Sequence, residues 1–483
     1  MIRMKGNVML DFKHAHFVGI GGIGMSGIAR ILLQMGHSVS GSDLKSSRIT
    51  QRLEELGAQI FCGHSAANVP ADTDILVVSS AVPADNPEVV EAKKRHILIV
   101  QRGHMLSLLM KPTKGIAVAG THGKTTTTSM IATMLESANL HPTVVVGGEL
   151  NDLGSNAKLG DGSYLVAEAD ESDASFVDLS PYAAVITSID PDVNLSTEAY
   201  CDCGYDHKKT GQRVEELFLQ FAHRVAEDGF VVMCGDHEGV RSLIPRVKRK
   251  VISYGLGKDN EIHAIDVSFA DYASRCTVVR NGQKLGELIL RVPGLHNIQN
   301  ALATVAIGLE IGLKFEDISR YMAGFRGVQR RFQILGEFDG VTIVDDYAHN
   351  PSKIKAAIKA AHTGEAKRVI AVFQPHRYTR TKFFQDEYCT IFGEADVLLV
   401  TDVYSAGEKP IEGVSAEVIV EGVRKFGAPH DVVYVPTAAD ILDYIGKNCR
   451  AGDIVIFLGA GDINKCAARC AEFLTAPSQP CAN

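Results

Sequence analysis

Two glycine-rich turns, each set where a strand runs into a helix, frame the chemistry open to this chain. The first, Gly19-Ile20-Gly21-Gly22-Ile23-Gly24, fits G-x-G-x-x-G. Glycines let a backbone approach a pyrophosphate, and the next helix offers unpaired N–H groups and its positive dipole end. Asp43, about 20 residues on at the end of the second strand, stands where an acid would hold a ribose hydroxyl. Taken alone, the loop points to an NAD-dependent dehydrogenase, yet loops of this type also bind other nucleotide diphosphates.

The second turn is Gly120-Thr121-His122-Gly123-Lys124-Thr125, followed by Thr126 and Thr127 at a helix start. In the general P-loop, G-x-x-x-x-G-K-[ST], the lysine reaches the β- and γ-phosphates and the hydroxyl binds Mg²⁺. Val118 stands where that pattern has its first glycine, so this is a shortened variant that still predicts a nucleoside triphosphate. Glu168 ends a strand, within Ala167-Glu168-Ala169-Asp170-Glu171-Ser172-Asp173. A carboxylate at a strand's C-terminal end beside a P-loop is placed to hold Mg²⁺. Its acidic neighbours read equally as a solvated loop. A dehydrogenase has no need of a second loop built for ATP. The pair demands a reaction that spends ATP on a nucleotide-bearing substrate.

The elements that must position these residues alternate between short β-rich runs and helical patterns, the signature of parallel α/β sheets. Strands are expected at His16–Ile20, Ser38–Ser42, Ile75–Ser79 and Ile97–Val100, one Rossmann-like unit over residues 1–112. Met110-Lys111-Pro112-Thr113-Lys114 reads as a linker. A central P-loop ATPase-like α/β unit follows over 113–328, with strands Gly115–Ala119, Tyr164–Glu168, Ala183–Ser188 and Phe230–Cys234. Lys250 to Val292 is β-rich, and a helix starts near His296. A third, Rossmann-like unit over 329–483 carries strands Thr342–Asp345, Val369–Phe373, Val397–Thr401, Val432–Val435 and Ile454–Leu458. The tail from Ala476 is polar and expected to be disordered. At 483 residues the chain is too long for one core. The fold class is therefore α/β in three domains.

Composition narrows the classes. Net charge is −8 with both signs spread along the chain, which argues against a nucleic-acid partner. The ten cysteines form no C-x-x-C pair, as expected of reduced thiols in a cytosolic enzyme. No secretory signal opens the sequence, and no run approaches the roughly 18–20 apolar residues that cross a bilayer. A cytoplasmic protein without membrane contact is expected.

At this point the motifs resemble one family over nearly the whole chain, the Mur ligases of peptidoglycan synthesis. The resemblance rests on the first loop with Met25-Ser26-Gly27, the second loop and the Glu168 stretch. It continues in Gly294-Leu295-His296-Asn297-Ile298-Gln299-Asn300-Ala301, Arg330-Arg331-Phe332 and Asp345-Asp346-Tyr347-Ala348-His349-Asn350-Pro351. Gln374-Pro375-His376-Arg377-Tyr378-Thr379-Arg380-Thr381 and Asp402-Val403-Tyr404-Ser405-Ala406-Gly407-Glu408 complete it.

The resemblance implies that the first domain binds a UDP-sugar through Gly19, Gly21, Gly22 and Gly24, with Ser42 and Asp43 nearby. It implies that the central domain holds Mg-ATP on Gly120, Thr121, His122, Gly123, Lys124, Thr125 and Thr126, with Thr125 and Glu168 on Mg²⁺. His296 and Asn297 would lie beside the nucleotide. Arg331, Asp346, Tyr347 and His349 of the third domain would face the ATP and the reacting centre. Arg377 and Arg380 would grip the incoming amino acid's carboxylate, although outside the family they read as surface salt-bridge partners. Lys124, Glu168, His349, Arg377 and Arg380 are the implied catalytic set. The first loop favours the members that join L-alanine to UDP-N-acetylmuramate. A monomer or weak homodimer acting on small molecules is the matching expectation.

The chemistry also makes sense from below. A carboxylate is a poor electrophile, so it attacks the γ-phosphate and becomes an acyl phosphate, which an amine then opens. The protein must mainly position groups and neutralise charge, which explains lysine, arginines and Mg²⁺ in place of a Ser or Cys nucleophile. Two arginines three residues apart can grip one carboxylate with bidentate geometry.

One stretch departs from the family. Members usually read Asn-x-x-x-Asp-His after the strand Ala183–Ser188, and that histidine helps hold a metal ion. Here the stretch is Ser188-Ile189-Asp190-Pro191-Asp192-Val193, and valine ligates nothing. His207, with Asp206, would replace the ligand; or Asp190 or Asp192 with water would serve; or the enzyme is weakened or altered. Cys201, Cys203 and His207 are a further zinc candidate without a clear fourth ligand.

Overall fold

The computed structural model describes residues 10–79, 81–150, 155–170, 175–190, 207–427 and 431–475. Side chains at 148–150, 155, 175, 207–212 and 475 lie outside that description.

Five parallel strands open the chain: β1 (His14–Val18), β2 (Ser38–Asp43), β3 (Gln59–Cys62), β4 (Ile75–Val78) and β5 (Leu98–Gln101). They lie in the order β3-β2-β1-β4-β5. Helices α1 (Ile23–Gln34), α2 (Arg48–Glu55), α3 (Pro87–Lys94) and α4 (Arg102–Met110) alternate with them. β1 and β4 are buried along their whole length, as strands covered on both faces must be. The order reverses between β1 and β4, so ligands are expected beyond the strands' carboxyl ends there.

The second sheet has ten strands among the described residues. They are β6 (Lys114–Ala119), β7 (Thr143–Leu150), β8 (Ser155–Lys158), β9 (Tyr164–Ala169) and β10 (Ala183–Ile186). β11 (Phe230–Cys234), β12 (Lys250–Gly255), β13 (Ile262–Ala270), β14 (Ala273–Arg280) and β15 (Gln283–Leu290) follow. The order is β15-β14-β13-β12-β11-β10-β6-β9-β7-β8. Its helices are α5 (Lys124–Ser137), α6 (His207–His223), α7 (Glu238–Leu243), α8 (Leu295–Glu310) and α9 (Phe315–Ala323). β6 lies between β10 and β9, and Val118 pairs with Glu168, so the carboxylate stands on the strand beside the P-loop.

The third sheet holds β16 (Gln333–Phe338), β17 (Val341–Asp346), β18 (Arg368–Phe373), β19 (Val397–Val400), β20 (Asp431–Tyr434) and β21 (Asp453–Leu458). Its order is β16-β17-β21-β18-β19-β20, parallel except for β16. Helices α10 (Pro351–Ala361), α11 (Tyr378–Phe383), α12 (Gln385–Tyr388), α13 (Ala416–Phe426), α14 (Ala438–Asn448) and α15 (Ile463–Thr475) accompany it. Apolar clusters form its core, one around Val344, Phe373 and Phe392 and another around Ile343, Val372 and Phe457.

By compactness the chain forms two units. One runs to Asp266 and includes Cys276–Ile289 and Ile298–Phe325; the other takes Val267–Arg275, Leu290–Asn297 and the chain from Arg326. Within the first unit, the first two sheets share one core in which Ile28 and Met105 belong with Val145 and Ala157. Gly27 is what lets α1 come so close: a Cβ there would stand 3.4 Å from Ala157 Cβ and Asn156 Nδ2. Asn156 donates to the Ile23 carbonyl and to Ser26 Oγ across this seam. The link between α4 and β6 is three residues, and Met110 at its start is buried against Gly115.

Periodicity finds most of the central strands to within a few residues and passes over β3, β7, β8 and β16. β3, β8 and β16 are edge strands, while β7 lies inside its sheet between β9 and β8. β3 is only half-buried, so it lacks the continuous apolar run that marks an interior strand.

Candidate active site

The first loop is built around Ser42 and Asp43. Gly19 takes φ of +82°, and the N–H groups of Gly19 and Ile20 donate to the Ser42 carbonyl at 2.8 and 3.0 Å. Gly21 N–H donates to Asp43 Oδ2 at 2.9 Å, and a Cβ on Gly21 would lie 2.8 Å from that oxygen. Gly22 caps α1, and Gly24 lies in its first turn. Behind the loop, Ser42 Oγ donates to the buried carboxylate of Glu88 at 2.6 Å. His16, Asn68 and the Ser65 N–H bond the same carboxylate. Burial alone would raise the Glu88 pKa, but these hydrogen bonds outweigh it and bring it down to about 2. Spacing gives no hint of Glu88, which is brought in by the start of α3.

The P-loop is held from β10. Gly120 and Gly123 take φ of +136° and +81°, and a Cβ on Gly120 would fall 2.1 Å from Thr187 Oγ1. Thr187 Oγ1 donates to the Ala119 and His122 carbonyls. His122 N–H donates to Ser188 Oγ at 2.9 Å, and Thr121 N–H to the Ser188 carbonyl at 3.0 Å. Lys124 Nζ donates to the Gly120 carbonyl, Thr125 follows it in the first turn of α5, and Thr126 comes next. Thr127 Oγ1 donates to Asn300 of α8 at 3.1 Å. Serine at 188, the departure from the usual asparagine, thus pins the loop.

Asp190 lies just past β10, beside the P-loop. Its carboxylate contacts His122 Nε2 at 2.9 Å and His237 Nε2 at 3.0 Å, while its N–H donates to Thr121 Oγ1. Burial opposes ionisation of Asp190, but the two histidines hold its pKa well below the carboxylate range. Asp192, Val193, Cys201, Cys203 and Asp206 lie outside the described residues. His207 opens α6, and its side chain is likewise outside the description.

Glu168 lies over Gly147, where a Cβ would sit 2.1 Å from Glu168 Oε2. That cradle suits a carboxylate aimed at a cation, and Thr125 supplies the hydroxyl typical of a P-loop. Among the described residues no group of three His, Cys, Asp or Glu side chains is set for a metal. A carboxylate and a hydroxyl completed by phosphate oxygens and water is the donor set Mg²⁺ prefers.

The second unit gathers the remaining predicted residues. Arg330 and Arg331 lie over the Tyr347 ring, 4.8 and 5.4 Å from its centroid. Buried Asp346 accepts the N–H groups of Phe332 and Ala348, both at 2.7 Å. Burial and then the Arg331 charge lower the pKa of His296 to about 4, so it is a neutral imidazole. Asn297 beside it donates to the Pro293 carbonyl at 2.7 Å. His349 bonds the Tyr347 carbonyl through Nδ1 at 2.7 Å, which leaves Nε2 as the basic nitrogen. Burial and the charges of Lys353, Arg380 and Arg331 keep it neutral.

Arg380 Nη1 donates to His376 Nδ1 at 2.7 Å, and the His376 ring stacks on Tyr404 at 5.6 Å. Arg377 takes the rare φ of +66°, held by its N–H to the Tyr404 carbonyl at 2.8 Å. Strain of this kind collects at functional sites. The sheet thus brings Arg377, Arg380, His349 and Tyr347 to the carboxyl ends of β17 and β18. The P-loop group and this group lie in different compact units.

Hydride transfer would leave the lysine loop and its β10 supports without a use. The class that uses both loops is the ATP-dependent ligases acting on nucleotide-linked substrates. Comparison narrows this further: the chain belongs to the Mur ligase family. Family models match in order, as the Mur ligase family catalytic domain over residues 14–114, the middle domain over 118–308 and the glutamate ligase domain over 330–461. The chain is 48% identical over 452 residues to a UDP-N-acetylmuramate–L-alanine ligase of Geobacter sp. (strain M21), covering 93% of this chain and 95% of that protein. The ligase of the same name from Sorangium cellulosum is 45% identical over 97% of this chain and 98% of its own. The crystal structure of UDP-N-acetylmuramate-alanine ligase from Thermotoga maritima matches with a TM-score of 0.80 at 30% identity, covering 95% of this chain and 98% of that one.

Proposed function

We propose that this chain joins L-alanine to the lactoyl carboxylate of UDP-N-acetylmuramate, converting ATP to ADP and phosphate, as a step in peptidoglycan precursor synthesis. The enzyme is an ATP-dependent, amide-bond-forming ligase. The observation that carries the reading is the lysine P-loop, pinned by Thr187 and Ser188 with Glu168 on the adjacent strand, in a chain alike end to end to ligases of that name.

The sugar carboxylate attacks the γ-phosphorus and the bond to the β-phosphate oxygen breaks, leaving an acyl phosphate and ADP. The amine of alanine then attacks the acyl carbon, the C–O bond breaks and phosphate departs. Lys124 neutralises phosphate charge, and the loop N–H groups orient it. Thr125 and Glu168 would hold Mg²⁺, which would supply charge neutralisation at the phosphate oxygens. Arg377 and Arg380 take the carboxylate of alanine, and His349 Nε2 is suited to receive the proton its amine must lose. His296, Asn297, Arg331, Asp346 and Tyr347 serve the nucleotide. Gly19, Gly21, Gly22, Gly24, Ser42 and Asp43 serve the UDP-sugar. In this reading residues 1–112, 113–328 and 329–483 are the sugar-nucleotide, ATP and amino-acid domains of a cytoplasmic monomer or weak homodimer. No helix among the described residues is long and apolar enough to cross a membrane.

The test is phosphate release from ATP with UDP-N-acetylmuramate, with and without L-alanine, glycine or L-serine. Release that needs the sugar nucleotide and L-alanine together supports the proposal. ATP binding without release under any condition would favour the altered homologue that Val193 suggests.

A further inference from the structure

Arg102 opens α4 at the carboxyl end of β5, the same edge of the first sheet that carries the glycine loop. Its side chain lies across Gly24, the last glycine of that loop. A Cβ on Gly24 would stand 3.0 Å from both Arg102 Cδ and Nη1. Glycine at this point therefore makes room for a guanidinium at the start of α1. The other arm of the same group reaches the second sheet, where Nη2 pairs with Asp170 Oδ2 at 3.2 Å. Asp170 stands just past the end of β9, two residues beyond Glu168. One cation thus touches both the loop read as holding the diphosphate and the strand end read as holding the metal.

We infer that Arg102 is a substrate-binding residue that grips the diphosphate of the sugar nucleotide, and that Asp170 competes with the diphosphate for it. The inference rests on the proposed role of the Gly19–Gly24 loop. A diphosphate on the N–H groups of that loop and of α1 meets Nη1 where it crosses Gly24. A planar guanidinium suits phosphate oxygens. Drawing Arg102 toward the diphosphate loosens its hold on Asp170, so sugar-nucleotide binding is felt beside Glu168. That is a physical route by which occupancy of the glycine loop is coupled to the strand end beside the P-loop.

Titration calorimetry on the full chain tests this with UDP-N-acetylmuramate, UDP and ATP, with uridine measured by competition. In R102A, affinity for both diphosphates is expected to fall roughly 10- to 100-fold, the scale of a lost charge-assisted hydrogen bond. Uridine binding stays unchanged and ATP binding stays within about threefold. R102K, which keeps the charge without the fork, recovers part of the loss. D170N removes the competitor and tightens UDP binding. Equal UDP affinity in wild type and R102A, or an equal loss for uridine, overturns the proposal. So does a D170N variant that loses UDP affinity as R102A does, because the pair would then only brace the two loops. A wild-type chain that binds ATP but no uridine diphosphate at all would instead remove the reading of the loop itself.

Discussion

At the scale of single residues, Lys124 and its supports carry the ATP chemistry. Lys124→Ala is expected to cut ligation by at least roughly 100-fold, since a charge-stabilising group aimed at the transferring phosphoryl is lost. Its thermal midpoint should stay close to that of wild type, because Lys124 is only half-buried and lies outside the apolar core. Normal turnover in the folded variant would remove the assignment. Ser188→Ala takes the acceptor from His122 N–H, a loss of about 1 kcal/mol. The KM for ATP should rise about fivefold, with the KM for the sugar nucleotide unmoved. Gly147→Ala would push a methyl into the space of the Glu168 carboxylate. The Mg²⁺ needed for half-maximal rate should then rise roughly 10-fold, as when a metal ligand is displaced from its supports. An unchanged Mg²⁺ requirement would take Glu168 off the metal. Much at this scale is legible from spacing alone: both loops and Glu168 announce themselves by type and interval, whereas the arginine pair is singled out only by the family resemblance. Glu88, Arg102, Thr187 and His237 do not, because each acts through a partner far away in sequence.

At the scale of elements, the network on Glu88 ties β1, β2, the turn after β3 and the start of α3 into one unit. Its carboxyl titrates at about 2 in the folded chain, against an ordinary value of 4.5. The folded value is the depressed one, so the ionised group stabilises the fold above pH 4.5 and the contribution fades as pH falls toward 2. The gap corresponds to about 3 kcal/mol. Acid unfolding of wild type should therefore show a loss across this window that Glu88→Gln lacks, the variant being less stable at neutral pH. Parallel acid profiles for the two proteins would show that the network stores no such energy. Strand periodicity shows where these elements lie but not that β3, β7, β8 and β16 exist, and all of these but β7 are edge strands. Edge strands face water on one side and need no continuous apolar run.

At the scale of the whole molecule, a site assembled from separate sheets makes ligands part of stability. Sugar nucleotide at about 100 times its Kd adds about 2.7 kcal/mol to the unit that binds it. Calorimetric melting with UDP-N-acetylmuramate and with ATP should raise the transition of the first compact unit. A transition unmoved by the sugar nucleotide would place its site elsewhere. What the sequence by itself determined is the alternation of strand and helix, the two phosphate loops and the family, because these rest on local periodicity and on residue types at short intervals. Only the tertiary structure decided that Ser188 pins the P-loop, that Asp190 contacts two histidines and that Arg102 spans two loops. Those contacts follow from parallel strand order, which sets side by side residues that the sequence keeps about 50 to 70 positions apart.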